Sequence, residues 1–188
     1  MRRWPFAIAG MIAAASLDAK VFLTLEEALK LAFPGAAVER KTAFLTEAQR
    51  KEAQKLSGDD ELPAALATYY SATKDGAEVG TAYFDTHRVR TMPETIMVVV
   101  EPSGAVGRIE VLSFQEPEEF LPRPRWYEQF SGKPLDDELS LKRGIRPVTG
   151  ATLTARATTE AARRVLALHR VLHPPPAPTA SPTRNAPR

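Results

Sequence analysis

Five consecutive apolar side chains, Ile96-Met97-Val98-Val99-Val100, constrain this chain more than any other feature. Successive side chains of a strand point to opposite faces, so an unbroken apolar run asks for cover on both sides. Thr95–Glu101 is therefore expected to be a strand buried on both faces. The pattern around it is also extended. Leu66–Thr73 and Glu78–Asp85 flank Lys74-Asp75-Gly76-Ala77, and Asp-Gly tolerates the positive φ of a tight hairpin. Pro102-Ser103-Gly104 turns the chain into Ala105–Phe114, where Val106, Ile109, Val111 and Leu112 are apolar. These strands read as an antiparallel meander.

Helices are expected on both sides of the meander in sequence. Thr24-Leu25-Glu26-Glu27 has the spacing of a capping box, with Leu23 and Ala28 placed as a staple. Its helix, Leu25 to Ala32, stops at Phe33-Pro34-Gly35. Thr46-Glu47-Ala48-Gln49 opens a second helix to about Leu56, ended by Ser57-Gly58-Asp59-Asp60. The last helix is expected from Ala155 to Leu172, with Ala157, Ala161, Val165, Leu168 and Leu172 on one stripe. Helix, helix, four strands, loop, helix is an α+β order: an antiparallel β-meander flanked by helices.

Composition narrows what such a fold can do. At 188 residues and 44% hydrophobic, the chain suits one globular domain with a real core. It has no cysteine, which removes disulfides, thiolate metal sites, iron–sulfur clusters and cysteine nucleophiles together. The net charge of +2 belongs to the ends. Without the first nineteen and last fifteen residues, 21 basic residues face 22 acidic ones. A neutral core does not suit nucleic acid as a partner.

The ends carry their own signals. Met1-Arg2-Arg3, an uncharged run from Trp4 to Ala15, and small residues through Ala19 form the three regions of a secretory signal. Cleavage after Ala15 and after Ala19 both fit. The run is shorter than the roughly 20 apolar residues a spanning helix needs, so residues 1–19 read as an export signal; an uncleaved signal would act as an anchor. Residues 173–188 hold six of the sixteen prolines and read as an extended, disordered tail. The domain is then 20–172, periplasmic or otherwise exported, with membrane association through an uncleaved signal or a partner complex.

The segment with the most chemistry is Pro147-Val148-Thr149-Gly150-Ala151-Thr152-Leu153-Thr154, leading into the last helix. Gly150 and Ala151 let a ligand approach the backbone. Unpaired amides and the positive end of the helix dipole favour a phosphate there. The hydroxyls of Thr149, Thr152 and Thr154 can donate to phosphate oxygens, and one can be esterified. Threonines at a helix start also serve as plain N-caps, and spacing alone favours that reading.

Thr149-Gly150-Ala151-Thr152-Leu153-Thr154 resembles the flavinylation motif of the FMN-binding domain family. That family includes the periplasmic flavoprotein subunits of sodium-pumping quinone reductases and of Rnf electron-transport complexes. The resemblance extends over Ala105 to Arg164, through the strand pair ending in Glu116-Pro117 and through Trp126-Tyr127-Glu128-Gln129-Phe130-Ser131-Gly132-Lys133. The family often has Asp where this chain has Arg146, and Glu-Thr-Pro where it has Glu116-Pro117. The resemblance implies FMN joined by a phosphoester to Thr154 and a binding loop of Thr149, Gly150, Ala151, Thr152 and Leu153. It implies contributions from Glu116, Lys133 and Trp126. A separate Mg-dependent, FAD-using flavin transferase would make the link, and redox partner proteins would exchange electrons with the flavin. On this reading the chain is a carrier or subunit with no catalytic residue of its own. An interaction module that keeps the fold without flavin is the alternative.

Other groups have plainer readings. His169 and His173 lie four apart and are expected to complement the helix C-terminus. His87, flanked by Arg88 and Arg90, reads as a surface residue. Trp126, Tyr127 and Phe130 read first as core, and Asp59-Asp60-Glu61 and Asp136-Asp137-Glu138 as solvated loops.

Overall fold

The structure, a computed structural model, describes residues 20–60 and 63–174. The expected signal segment lies outside the described residues, as does the Pro-rich tail beyond Pro174. Among the described residues, no helix is long and apolar enough to cross a membrane.

The chain runs β1 (Lys20–Val21), α1 (Leu25–Ala32), β2 (Ala37–Phe44), α2 (Glu47–Ser57), β3 (Leu66–Lys74), β4 (Ala77–Arg88), β5 (Pro93–Val100) and β6 (Val106–Phe114). A 3₁₀ turn (Glu118–Phe120), α3 (Pro124–Tyr127), a second 3₁₀ turn (Glu128–Phe130) and α4 (Thr152–Leu172) follow. The fold is α+β. All six strands form one antiparallel sheet in the order β1-β6-β5-β4-β3-β2.

Both expected helix starts form as capping boxes. Thr24 accepts from the Glu27 amide while Glu27 reaches back to Thr24, and Thr46 and Gln49 do the same for α2. The β3–β4 hairpin turns on Asp75 (φ 53°) and Gly76 (φ 80°), the paired positive φ that tight hairpins need. β5 lies between β6 and β4, and its apolar run divides as strand geometry requires. Ile96, Val98 and Val100 enter a core with α2, α4, Tyr127 and Phe130. Met97 and Val99 enter a smaller one beneath α1 with Ala28, Leu29 and Phe33.

Three expectations need correction. The sheet has six strands, because β1 and β2 add the two edges. β2 carries Glu39-Arg40-Lys41 and buries neither face, so no apolar period announces it. α4 begins at Thr152, three residues earlier than expected, which takes Thr152, Leu153 and Thr154 into its first turn. Its buried stripe is wider than expected: Ala161 and Val165 are buried as expected and Ala155, Thr158, Ala162 and Leu166 join them, while Ala157, Leu168 and Leu172 are only half-buried. Close packing against the sheet selects small residues, and Ala and Thr allow that approach as well as larger apolar groups do.

Candidate functional site

The loop into α4 is built by packing on one side and left open on the other. Trp126 Nε1 donates to the Arg146 carbonyl at 2.7 Å, and the Arg146 amide donates to Gln129 Oε1 at 2.7 Å. This clamp grips only the backbone of residue 146, so any residue there except proline keeps it. Thr149 and Gly150 are exposed, Gly150 has φ 86°, and open space surrounds the position a Cβ would take. Ala151 is buried and occupies the N-cap of α4, where an Ala side chain cannot cap. The amides of Thr152, Leu153 and Thr154 therefore find no acceptor among the described residues. This is the start of a 21-residue helix with its dipole unopposed.

The three hydroxyls differ. Thr149 is at the surface. Thr152 is exposed and donates back to the Val148 carbonyl at 3.1 Å. Thr154 has no exposed surface, and its Oγ1 donates to the Phe120 carbonyl at 2.6 Å. Leu153, half exposed, points away from the core.

The other residues implied by the resemblance are partly gathered here. Trp126 joins the site through its bond to Arg146, and its ring packs edge-on to Tyr127 and Phe130. Glu116 lies four residues before Phe120, but its carboxylate is already engaged. Oε1 accepts from the amides of Arg90 (3.2 Å), Thr91 (2.7 Å) and Met92 (2.8 Å) and from the Thr91 hydroxyl (3.3 Å). Burial would raise its pKa, and these donors outweigh that and hold it low. Lys133 is not brought to the loop by any bond among the described residues. Its Nζ lies beside Gly144, where an added Cβ would meet it at 3.1 Å.

Further along α4, and reached through Thr158, is a charged cage that sequence reading missed. His87 is not a surface residue: its side chain is 8% exposed and sits between two carboxylates. Nδ1 meets Asp85 Oδ1 at 2.8 Å and Nε2 meets Glu94 Oε2 at 3.0 Å. Burial alone would lower its pKa, but these hydrogen bonds and charges raise it to about 9. Arg164 bridges Asp85 (3.0 Å) to Asp59 (3.1 Å) and completes the network. Thr158, one turn beyond Thr154, donates to Glu94 Oε2 at 3.3 Å. Among the described residues, Glu94 Oε1 and the Tyr127 hydroxyl, both buried, make no hydrogen bond of normal geometry, although Tyr127 lies against Glu94 and Thr158. The signal for the cage was the alternation of Asp85 and His87 on β4, with Glu94 opposite His87 across the β4–β5 ladder. That register becomes visible only once the strands are paired.

At the other end of α4, His169 Nδ1 lies 3.0 Å from the Tyr83 hydroxyl. Burial and the neighbouring His173 lower the His169 pKa to about 4. It is neutral at pH 7, so it does not complement the helix dipole as a charge.

No family model matches this chain, and no curated protein matches it.

Proposed function

We propose that the chain is an exported electron-transfer flavoprotein domain that carries FMN through a phosphoester at Thr154. The observation that carries this reading is the uncapped start of α4: three free amides behind the open Gly150 turn, with Thr154 in the first helical turn. A phosphate there meets donors and the positive end of a long helix. When bound, FMN supplies the one- and two-electron chemistry. The polypeptide supplies attachment, position and dielectric. Thr149, Gly150, Ala151, Thr152 and Leu153 would hold the phosphate, and the Trp126–Gln129 clamp fixes their approach. An apolar groove of about 770 Å³, bordered by Leu121, Pro122 and Tyr127, adjoins the same segment and offers shelter to a flat ring.

The attachment would use FAD and a separate Mg-dependent transferase. Thr154 Oγ forms a bond to the FMN phosphorus, the pyrophosphate bond breaks, AMP leaves, and the hydroxyl proton passes to a base. Redox partner proteins, in solution or in a membrane complex, would then donate and accept electrons. The burial of the Thr154 hydroxyl favours the second reading, an interaction module without flavin.

Intact mass under denaturing conditions separates the two. The full chain is co-expressed with a flavin transferase in an exporting bacterium. A gain equal to FMN minus water, mapped to Thr154 and lost in Thr154→Ala, is expected. An unchanged mass beside a modified control substrate rejects the carrier and supports the module.

A further inference from the structure

We propose that Pro117–Leu121 is a latch that closes over Thr154, with Arg90 as its releasable hold. The role of the latch rests on the carrier reading above, but its existence does not. Thr154 is fully buried, and this segment meets it with the Phe120 carbonyl on its hydroxyl. At the strand end the segment is fixed: the Gln115 amide makes the last bond to β5, on the Pro93 carbonyl, and Glu116 clasps the 90–92 turn. Beyond Pro117 the hydrogen bonds become few. Within the segment only two 3₁₀ bonds form, Phe120 to Pro117 and Leu121 to Glu118. Pro117, Glu118 and Glu119 are exposed. Outside the Thr154 bond, its charged holds are the Arg90 guanidinium, 4.8 Å from the Phe120 ring centre, and an exposed ion pair between Lys20 and Glu118, while Phe120 and Leu121 are half-buried and Pro122 is buried. Exposed contacts of these kinds are individually weak. Opening hinged at Pro117 thus leaves the sheet and the Glu116 clasp intact while it uncovers the hydroxyl beside the three free amides. Local openings of this kind expose groups without global unfolding.

The absence of cysteine gives a direct test. Thr154→Cys and, separately, Thr152→Cys place a single thiol on the buried and exposed sides of the same turn. Alkylation by N-ethylmaleimide is followed by intact mass, with no flavin present. The thiol at 154 is expected to react at least ~100-fold more slowly than that at 152, through opening only. Adding Arg90→Ala is expected to speed position 154 several-fold and leave 152 unchanged. Equal rates at the two positions overturn the latch, and so does a slow rate at 154 that Arg90→Ala does not change. If Thr154→Cys does not fold, hydrogen exchange of the unsubstituted chain decides. The Phe120 and Leu121 amides must exchange faster than those of β5, and faster still in Arg90→Ala; protection equal to β5 rejects the proposal. A chain that labels through the latch yet never gains FMN keeps the latch and loses the carrier.

Discussion

Thr154 and Thr158 lie one turn apart on α4, both fully buried, and their hydroxyls answer to different parts of the molecule. Thr154 donates to a backbone carbonyl in a surface segment; Thr158 donates to Glu94, a buried carboxylate on a central strand. The first contact belongs to a short segment whose charged contacts are weak and exposed. The second belongs to a cage in which every charge has a partner and removal of one strands another. Burial alone therefore does not separate a permanent contact from a reversible one. What separates them is the cost of withdrawing the partner.

The strongest way to break this contrast is to substitute Glu94. Glu94→Ala leaves the His87 imidazolium and Asp85 in a cage with a missing wall, and a loss of about 3–5 kcal/mol in guanidinium denaturation is expected. A loss below about 1 kcal/mol would mean that the cage is no more fixed than the latch.

The next effect is a matter of pH. The folded pKa of His87, about 9, lies above the ordinary value near 6.5. Its contribution, on the order of 3 kcal/mol, is fully present below about pH 6.5 and disappears as pH rises through about 9. His169 has the opposite sign. Its folded pKa of about 4 penalises protonation, so stability falls as pH drops from about 6.5 through 4. Imidazole titrations by NMR should place the two histidines on opposite sides of 6.5. A single shared value near 6.5 would remove the cage as a special environment.

Smaller effects sharpen the comparison. Thr158→Val takes a donor from the Glu94 carboxylate and should cost about 1.5–3 kcal/mol. Thr154→Val takes a donor from a neutral carbonyl near the surface and should cost about 0.5–1.5 kcal/mol. Denaturation of the pair under one condition checks the order. Arg90→Ala should change global stability least, by less than about 1 kcal/mol, while it changes access to position 154 most.

Much of this architecture is legible in the sequence, and the reasons are local. Thr24 with Glu27, Thr46 with Gln49, and Asp75 with Gly76 act within three residues, so their spacing determines helix starts and a turn before any packing exists. The run Ile96–Val100 determines a strand with two covered faces because side chains alternate whatever covers them. The uncapped start of α4 was not legible in the same way, since threonines after Gly150-Ala151 read equally as N-caps and only the structure puts Ala151 at the cap. β2 was not legible, since an edge strand pairs through its backbone and its side chains carry no burial pattern. His87 was misread because its neighbours Arg88 and Arg90 suggest solvent. Its actual partners are Asp85, two residues away on the same face, and Glu94, set opposite only by the β4–β5 register. Tertiary structure alone decided that Thr154 is sealed by Phe120, 34 residues away, and that Arg164 joins Asp59 from 105 residues away. Propensity, capping and alternation are properties of a few adjacent residues and survive in the unfolded chain; burial of a hydroxyl or a charge depends on which distant backbone arrives to cover it.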